Sequence, residues 1–337
     1  MNGYNMFGTF SPMTTMRCPK SEKFFSLGFR HRVILAPLSG VTDCSFRAMA
    51  CDTGAGGVVS EMIASTELLR GRTESFRRLG FNERHVGPKI VQLAGRDPLV
   101  MSDAAQQLAR WGVDQIDINM GCPAKKVTGG YSGAALLRDL GLARSILAAV
   151  RDAVDCHVSV KTRLGWEDEE TAPKLAEIAQ EIGLDLITVH GRTRAQFYKG
   201  IANWRAVALV SRAVRLPVVV NGDIKSGGDA RRALAESEAQ AVMVGRGSLG
   251  QPWVLGLIAS QLDKVFYKEP SRCEKAEMIK NFYTNVLSEH GYDVGIRTAR
   301  KHLDAFCHTL NVEKNHRDAL MRCREASQVM LMLEECF

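Results

Sequence analysis

The chain has 337 residues, 45% hydrophobic and 24% charged, which excludes a disordered or disulfide-scaffold protein and suits one large globular domain with an appendage. A formal net charge of +7 and a sequence pI of about 9.0 favour a polyanionic partner, nucleic acid or a phosphorylated ligand, over an acidic protein surface, although a merely basic cytosolic protein has the same balance. No apolar run approaches the ~20 residues that cross a bilayer, and nine scattered cysteines without a Cys-x-x-Cys pair or a Cys/His cluster argue for free thiols in a reducing cytoplasm, with neither membrane nor metal expected.

Residues 1 to 26 carry Gly, Ser, Thr, Pro and aromatics without a signal-peptide core, and read as a loose, poorly ordered extension. Beyond them, strand and helix alternate. Val33-Ile34-Leu35-Ala36 is ended by Pro37, after which Thr42 or Asp43 caps a helix running to Gly54. Gly57 to Ser60 and Lys89 to Leu93 follow as strands, and Asp97-Pro98 opens the next helix. Ile116-Asp117-Ile118 precedes a helix from about Ser132 to Val154. His157 to Lys161, Leu186 to His190, Pro217 to Asn221 and Ala241 to Gly245 complete eight Val/Ile-rich runs.

Eight such runs spaced by helices predict an α/β fold, a parallel (β/α)8 TIM barrel over residues 27–262. The rival, a doubly wound open sheet, lacks a Gly-x-Gly-x-x-Gly after its first strand. Strands stop after Asp263, and residues 263–337 read as a small all-helical domain with helices near 272–289, 295–310 and 316–335. In the middle helix Ile296, Ala299, Leu303, Phe306 and Leu310 make an apolar stripe. Arg297, Arg300 and Lys301 lie on another face, either a solvated surface or a phosphate-backbone contact.

Barrel chemistry sits at strand C-terminal ends. Ser39, Gln92, Asn119 with Cys122, Lys161, His190 and Asn221 with Asp223 all fall there. Gly121 and Pro123 hold Cys122 on a sharply bent backbone, yet a structural core thiol is as good a reading from those residues alone. Asn221-Gly222-Asp223 and Gly245-Arg246 follow the seventh and eighth strands, where this fold recurrently binds phosphate. Lys161 is placed to stabilise a reduced flavin, or equally to bind substrate or form a Schiff base.

In order along the chain stand Pro37-Leu38-Ser39-Gly40-Val41-Thr42-Asp43, Asp117-Ile118-Asn119-Met120-Gly121-Cys122-Pro123, Lys161-Thr162-Arg163, His190-Gly191-Arg192-Thr193, Asn221-Gly222-Asp223 and Gly245-Arg246. This set closely resembles the tRNA-dihydrouridine synthases from about residue 27 onward. The Cys-Pro-Ala-Lys-Lys-Val extension and Arg300-Lys301-His302 resemble their bacterial B-type branch most. Leu38-Ser39 stands where many members have Met-Ala or Met-Glu.

The resemblance implies an FMN-bearing barrel that reduces a uridine of the tRNA D-loop with NADPH, acting as a monomer. It implies that Pro37, Leu38, Ser39, Gln92, Lys161 and His190 contact the flavin, with Asn221, Gly222, Asp223, Gly245 and Arg246 at its ribityl-phosphate end. It also implies that Asn119 seats the uracil and that Cys122 donates the proton to C5, while Lys125, Lys126 and the basic helix meet RNA phosphate. The target base must then leave its stack. An FMN-dependent reductase of a free pyrimidine, of the dihydroorotate type, is the alternative, but a basic helical tail has no use there.

Overall fold

The Val- and Ile-rich runs form strands buried on both faces, as a parallel sheet wrapped by helices requires. In the computed structural model, which describes residues 19–80, 85 and 87–336, they are β1 (Val33–Leu35), β2 (Gly57–Val59), β3 (Ile63–Ala64), β4 (Lys89–Ala94), β5 (Gln115–Met120), β6 (His157–Arg163), β7 (Leu186–His190), β8 (Val218–Asn221) and β9 (Ala241–Val244). From β4 to β9 each strand pairs in parallel with the next, β9 pairs with β1, and β1 with β2. Val58 and Val59 of β2 pair with Lys89 and Ile90 of β4, and this contact closes the ring. The two-residue β3 only extends the ladder on β4 beyond the end of β2. Eight strands therefore make a closed parallel barrel with helices between them, a TIM barrel, and helices alone follow it.

The period-two alternation divides the apolar residues into two layers. Outward side chains such as Ile116, Ile118, Val160, Val218 and Val220 pack on Leu147, Ala176 and Val210 of the surrounding helices. Inward ones, Ile34, Ala36, Val59, Ile90, Leu186, Val219, Ala241 and Met243, fill the barrel and continue into Phe24, Leu27 and Phe29. The helix Pro19–Ser26 carries Phe24, whose ring stacks on Phe29 at 4.6 Å. Phe29 in turn lies against the start of β2, where a Cβ on Gly57 would come within 2.7 Å of its ring. The expectation of a loose segment to residue 26 therefore fails for residues 19–26, because their aromatic side chains stopper the N-terminal end of the barrel; residues 1–18 lie outside the described residues.

Two other expectations change in detail. The helix expected from Ser132 to Val154 is a 3-10 turn, Gly133–Arg138, followed by the helix Leu140–Ala153. Asp139 separates them, its non-helical backbone and its side-chain acceptor for Leu142 N starting a fresh helix. The last helical stretch is likewise two helices, Lys314–Arg322 and Ala326–Cys336. The carbonyl of Cys323 at the break accepts a 3.0 Å hydrogen bond from Arg300 Nη2.

The helices after Asp263 dock on the first barrel helix, Cys44–Asp52, through rings. Phe282 of the helix Arg272–His290 meets Phe46, Phe306 and His302 at centroid distances of 6.5, 5.9 and 4.8 Å. His302 is wholly buried, and its ring nitrogens have no hydrogen-bond partner among the described residues. Asp43 Oδ2 lies 3.9 Å from Nε2, outside hydrogen-bond range. Burial pulls the imidazole down to about 3 and pushes the Asp43 carboxyl up to about 7, Glu289 and Glu61 adding to the rise. The uncharged ring packs here as an aromatic.

Truncating the stopper, Phe24→Ala, is expected to lower stability by about 3–5 kcal/mol, as for other fully buried aromatics. Denaturant unfolding measures this, and a loss near zero would detach that helix from the barrel. The buried imidazole contributes fully above its unfolded pKa of 6.5, and the contribution is lost as pH falls toward about 3. His302→Phe should keep the ring packing and lose about 2 kcal/mol less than the parent between pH 6.5 and 4.5. Equal acid limbs in the two proteins would mean that the ring is charged when buried.

Candidate active site at the C-terminal mouth of the barrel

The inward row of β5 ends in a loop whose backbone is held from three sides. Asn119 turns Oδ1 to the amides of Gly121 and Cys122, at 3.2 and 2.9 Å. Arg163, at the end of β6, donates from Nε to the Gly121 carbonyl at 2.9 Å. Its Nη1 also reaches the carbonyls of Thr193 and Phe197 at 2.9 and 2.8 Å, so one buried guanidinium joins two loops of the mouth. The Cys122 carbonyl accepts from Ala134 N at 3.1 Å. Gly133 makes that approach possible: at φ +61° a Cβ would sit 2.9 Å from the Cys122 oxygen. Cys122 itself is half-buried.

Beside this loop, from β6 onward, lies a group of cations around one histidine. Lys161 Nζ donates to Asn221 Oδ1 at 3.1 Å, and Asn221 is locked in turn by Nδ2 on the Met243 carbonyl at 2.7 Å. Burial draws the Lys161 ammonium down to about 8, against the pull of Asp117. His190 Nε2 lies 3.2 Å from Arg192 Nη1; since Arg can only donate, Nε2 accepts and the ring proton is assigned to Nδ1. Burial, then Lys161, Arg163, Arg192 and Arg246, keep that imidazole well below its ordinary value and hence neutral. Arg192, buried, donates to Asp223 Oδ2 at 2.6 Å and to the Gly200 carbonyl at 2.7 Å.

Asp223 also accepts from Ala202 N at 2.8 Å, so its carboxylate braces the loop. Gly222 before it adopts φ +115°, and a Cβ there would fall 2.8 Å from Ala202 Cβ and 2.9 Å from the His190 ring. Arg246 stands at the end of β9 with its side chain 56% exposed, 3.6 Å from Asp223 and over the Tyr198 ring at 5.2 Å. Pro37 and Leu38 are half-buried after β1, Ser39 is exposed, and Leu38 reaches toward Gly245. Gln92 is buried between Asp117 and Asn119, at 2.7 Å from each. Lys125 and Lys126 are exposed on the short helix Lys125–Thr128 just after the cysteine.

The structure thus gathers Gln92, Asn119, Cys122, Lys161, His190, Asn221 to Asp223 and Arg246 at one mouth, and it separates the three basic residues of the helix Tyr292–Thr309. Arg297 is exposed, and Lys301 is exposed with Nζ 3.4 Å from the Gly40 carbonyl of the β1 loop. Arg300 is half-buried, with Nη2 donating to the Cys323 carbonyl at the break between the last two helices. Sequence reasoning gave Arg163 and Arg192, quoted only as motif members, no role of their own, and it passed over Tyr198. Period-two spacing already put Arg163 on the face of Lys161, but its role as a clasp depends on loops 30 and 34 residues away, at Thr193 and Phe197. Among the described residues no group of three or more His, Cys, Asp or Glu is placed to hold a metal, and no helix is long and apolar enough to cross a membrane.

The dihydrouridine synthase (Dus) family model matches residues 34–337. A Rhodobacter capsulatus protein named "Probable tRNA-dihydrouridine synthase" is 46% identical over 308 residues, covering 90% of this chain and 94% of its own. The "tRNA-dihydrouridine synthase B" of Xanthomonas campestris is 40% identical over 277 residues, 81% of this chain and 82% of its own. Among solved structures, histamine dehydrogenase from Rhizobium sp. 4-9 superposes with a TM-score of 0.53 at 13% identity, over 76% of this chain and 49% of that one, a likeness of fold alone. With its barrel mouth and almost its whole length matched, the chain belongs to the dihydrouridine synthase family.

Proposed function

We propose that the chain is an FMN-dependent tRNA-dihydrouridine synthase that reduces the C5–C6 bond of a uridine in the tRNA D-loop, with NADPH as reductant. The observation that carries this reading is a half-buried thiol on a braced loop at the end of β5, with a pinned lysine on the neighbouring strand β6, in a chain of this family. The donor set suits a planar, phosphate-bearing cofactor. Lys161 offers a cation at the ring position, Gln92 keeps one N–H and one lone pair unclaimed, and His190 is neutral. Arg246, exposed and only loosely paired with Asp223, has charge to spare for a phosphate beside Gly222 and Gly245. When bound, FMN would supply the hydride for uracil C6, after reduction by NADPH.

The protein's own groups do the rest. Cys122 holds the proton that goes to C5, with Asn119 and Arg163 fixing where its sulfur can be. Asn119 has a second Nδ2–H, otherwise directed only at Met62 Sδ 3.8 Å away, for the uracil edge, and Pro37, Leu38 and Ser39 line the β1 side. We assign catalysis to residues 27–262, and tRNA binding to residues 263–337 together with Lys125 and Lys126. Arg297 and Lys301 supply the helical share of the phosphate contacts, and Arg300 is left out. The base must be extruded to reach Cys122, and that cost is repaid by backbone contacts.

The direct test is dihydrouridine in tRNA from cells with and without the gene, alongside turnover of free uridine by the purified protein. Reduction of free uridine at a rate equal to tRNA would replace this reading with the free-pyrimidine reductase. Cys122→Ala is expected to keep the flavin and lose about 10²–10⁴ in turnover, the usual size of a general-acid contribution; undiminished turnover sinks the proton-donor role. The double variant Arg297→Ala, Lys301→Ala should flatten the plot of log affinity for tRNA against log salt by roughly 1–2 units. An unchanged slope would make that helix face plain surface.

A further inference from the structure

Beneath the mouth, inside the barrel, lies a carboxylate that touches no proposed ligand. Asp117 is the middle member of the inward row Gln115, Asp117, Asn119 on β5, and it is buried. Its Oδ1 accepts from Ser159 Oγ at 2.6 Å and its Oδ2 from Gln92 Nε2 at 2.7 Å. Ser159 Oγ accepts in turn from Gln115 Nε2 at 2.7 Å. Gln115 Oε1, at the outer end of that branch, is buried without a partner among the described residues. Every donor in the network points toward the carboxylate.

This direction has a consequence for the loop above. Both oxygens of Asp117 act as acceptors here, although burial pushes its carboxyl pKa up, and in that arrangement Gln92 presents its NH2 to Asp117 and its Oε1 to Asn119. Asn119 must then present its NH2 to Gln92, 2.7 Å away, and its own Oδ1 to the amides of Gly121 and Cys122. An amide side chain has nearly the same shape either way round, so shape alone does not choose the orientation. With no acceptor at 117, Gln92 is free to turn; Asn119 follows, and a donor then faces the two donors of the cysteine loop.

We infer that Asp117 is a positioning residue: through Gln92 and Asn119 it sets the amide orientation that holds the backbone of Cys122. The inference deepens the reading of Cys122 as proton donor and rests on it for its catalytic meaning, whereas the relay itself concerns only this chain's atoms. A single buried acceptor thereby orders groups two links away, as a connected polar network does.

Local amide hydrogen exchange tests it on the full chain, without flavin or tRNA. In Asp117→Leu the amides of Gly121 and Cys122 should exchange roughly tenfold faster, the scale of one lost hydrogen bond, while those of β8 and β9 stay unchanged. Asp117→Asn, whose carbonyl still accepts from Gln92 while its NH2 turns to Ser159, should stay within about twofold of the parent. Where Asp117→Leu does not fold, Gln92→Met cuts the same chain one link along and should give the same local acceleration. Protected loop amides in Asp117→Leu or Gln92→Met overturn the relay, as does an acceleration spread evenly over the barrel. The functional reading fails separately, by absence of dihydrouridine with the unaltered protein.

Discussion

Everything at the mouth depends on the short ladder between β2 and β4. Two residue pairs, Val58 with Lys89 and Val59 with Ile90, close the ring of strands. A closed parallel ring has no free edge, and it fixes for every strand which residues point inward. Once closed, β4, β5 and β6 have no freedom to slip, because a shift of one residue would exchange the inward Gln92, Asp117, Asn119 and Lys161 for outward valines and isoleucines. The position of Cys122 relative to Lys161 follows from register, since Asn119 and Lys161 are direct partners across β5 and β6.

The interior is polarised along the barrel axis. At the N-terminal end Phe24, Leu27 and Phe29 seal an apolar plug. Toward the other end the β4, β5 and β6 side carries Gln115, Asp117, Ser159, Gln92 and Asn119, all buried and bonded to one another. Buried polar groups are stable only when satisfied, so the network is rigid because it is nearly complete. Above it, burial first and then Lys161, Arg163, Arg192 and Arg246 keep His190 neutral. Such a concentration of positive charge in a concave mouth attracts an anion from a distance and holds it once there. Asp223 prevents mutual repulsion from opening the loops, pairing with Arg192 and lying near Arg246.

The helices after Asp263 are placed by aromatic packing, and their charge is carried along with it. Phe282, His302 and Phe306 lock them to Phe46 on the first barrel helix. That docking brings Lys301 to the β1 loop at Gly40, at the same end of the barrel as the cysteine. A basic helix face and a chemically equipped mouth thus come from distant parts of the chain, and burial of uncharged rings is what joins them.

The sequence by itself determined the repeating strand and helix, the eight barrel strands, and the strand-end positions of Gln92, Asn119, Cys122, Lys161, His190 and Asn221. These are local matters: periodicity, β-branched runs, and Asp or Pro at helix starts act within a few residues. It also contained the motifs that resemble one family, although it left Cys122 evenly poised between a core thiol and a reactive one. Only the tertiary structure decided that residues 19–26 stopper the barrel, that Arg163 and Arg192 are clasps between loops, and that Arg300 holds Cys323 while Arg297 faces solvent. Helical spacing puts Arg297, Arg300 and Lys301 on neighbouring positions and cannot say which of them another helix covers. Likewise no spacing reveals which way an amide side chain points; that is set by a carboxylate on the neighbouring strand, brought within 2.7 Å of Gln92 by the closure of the barrel.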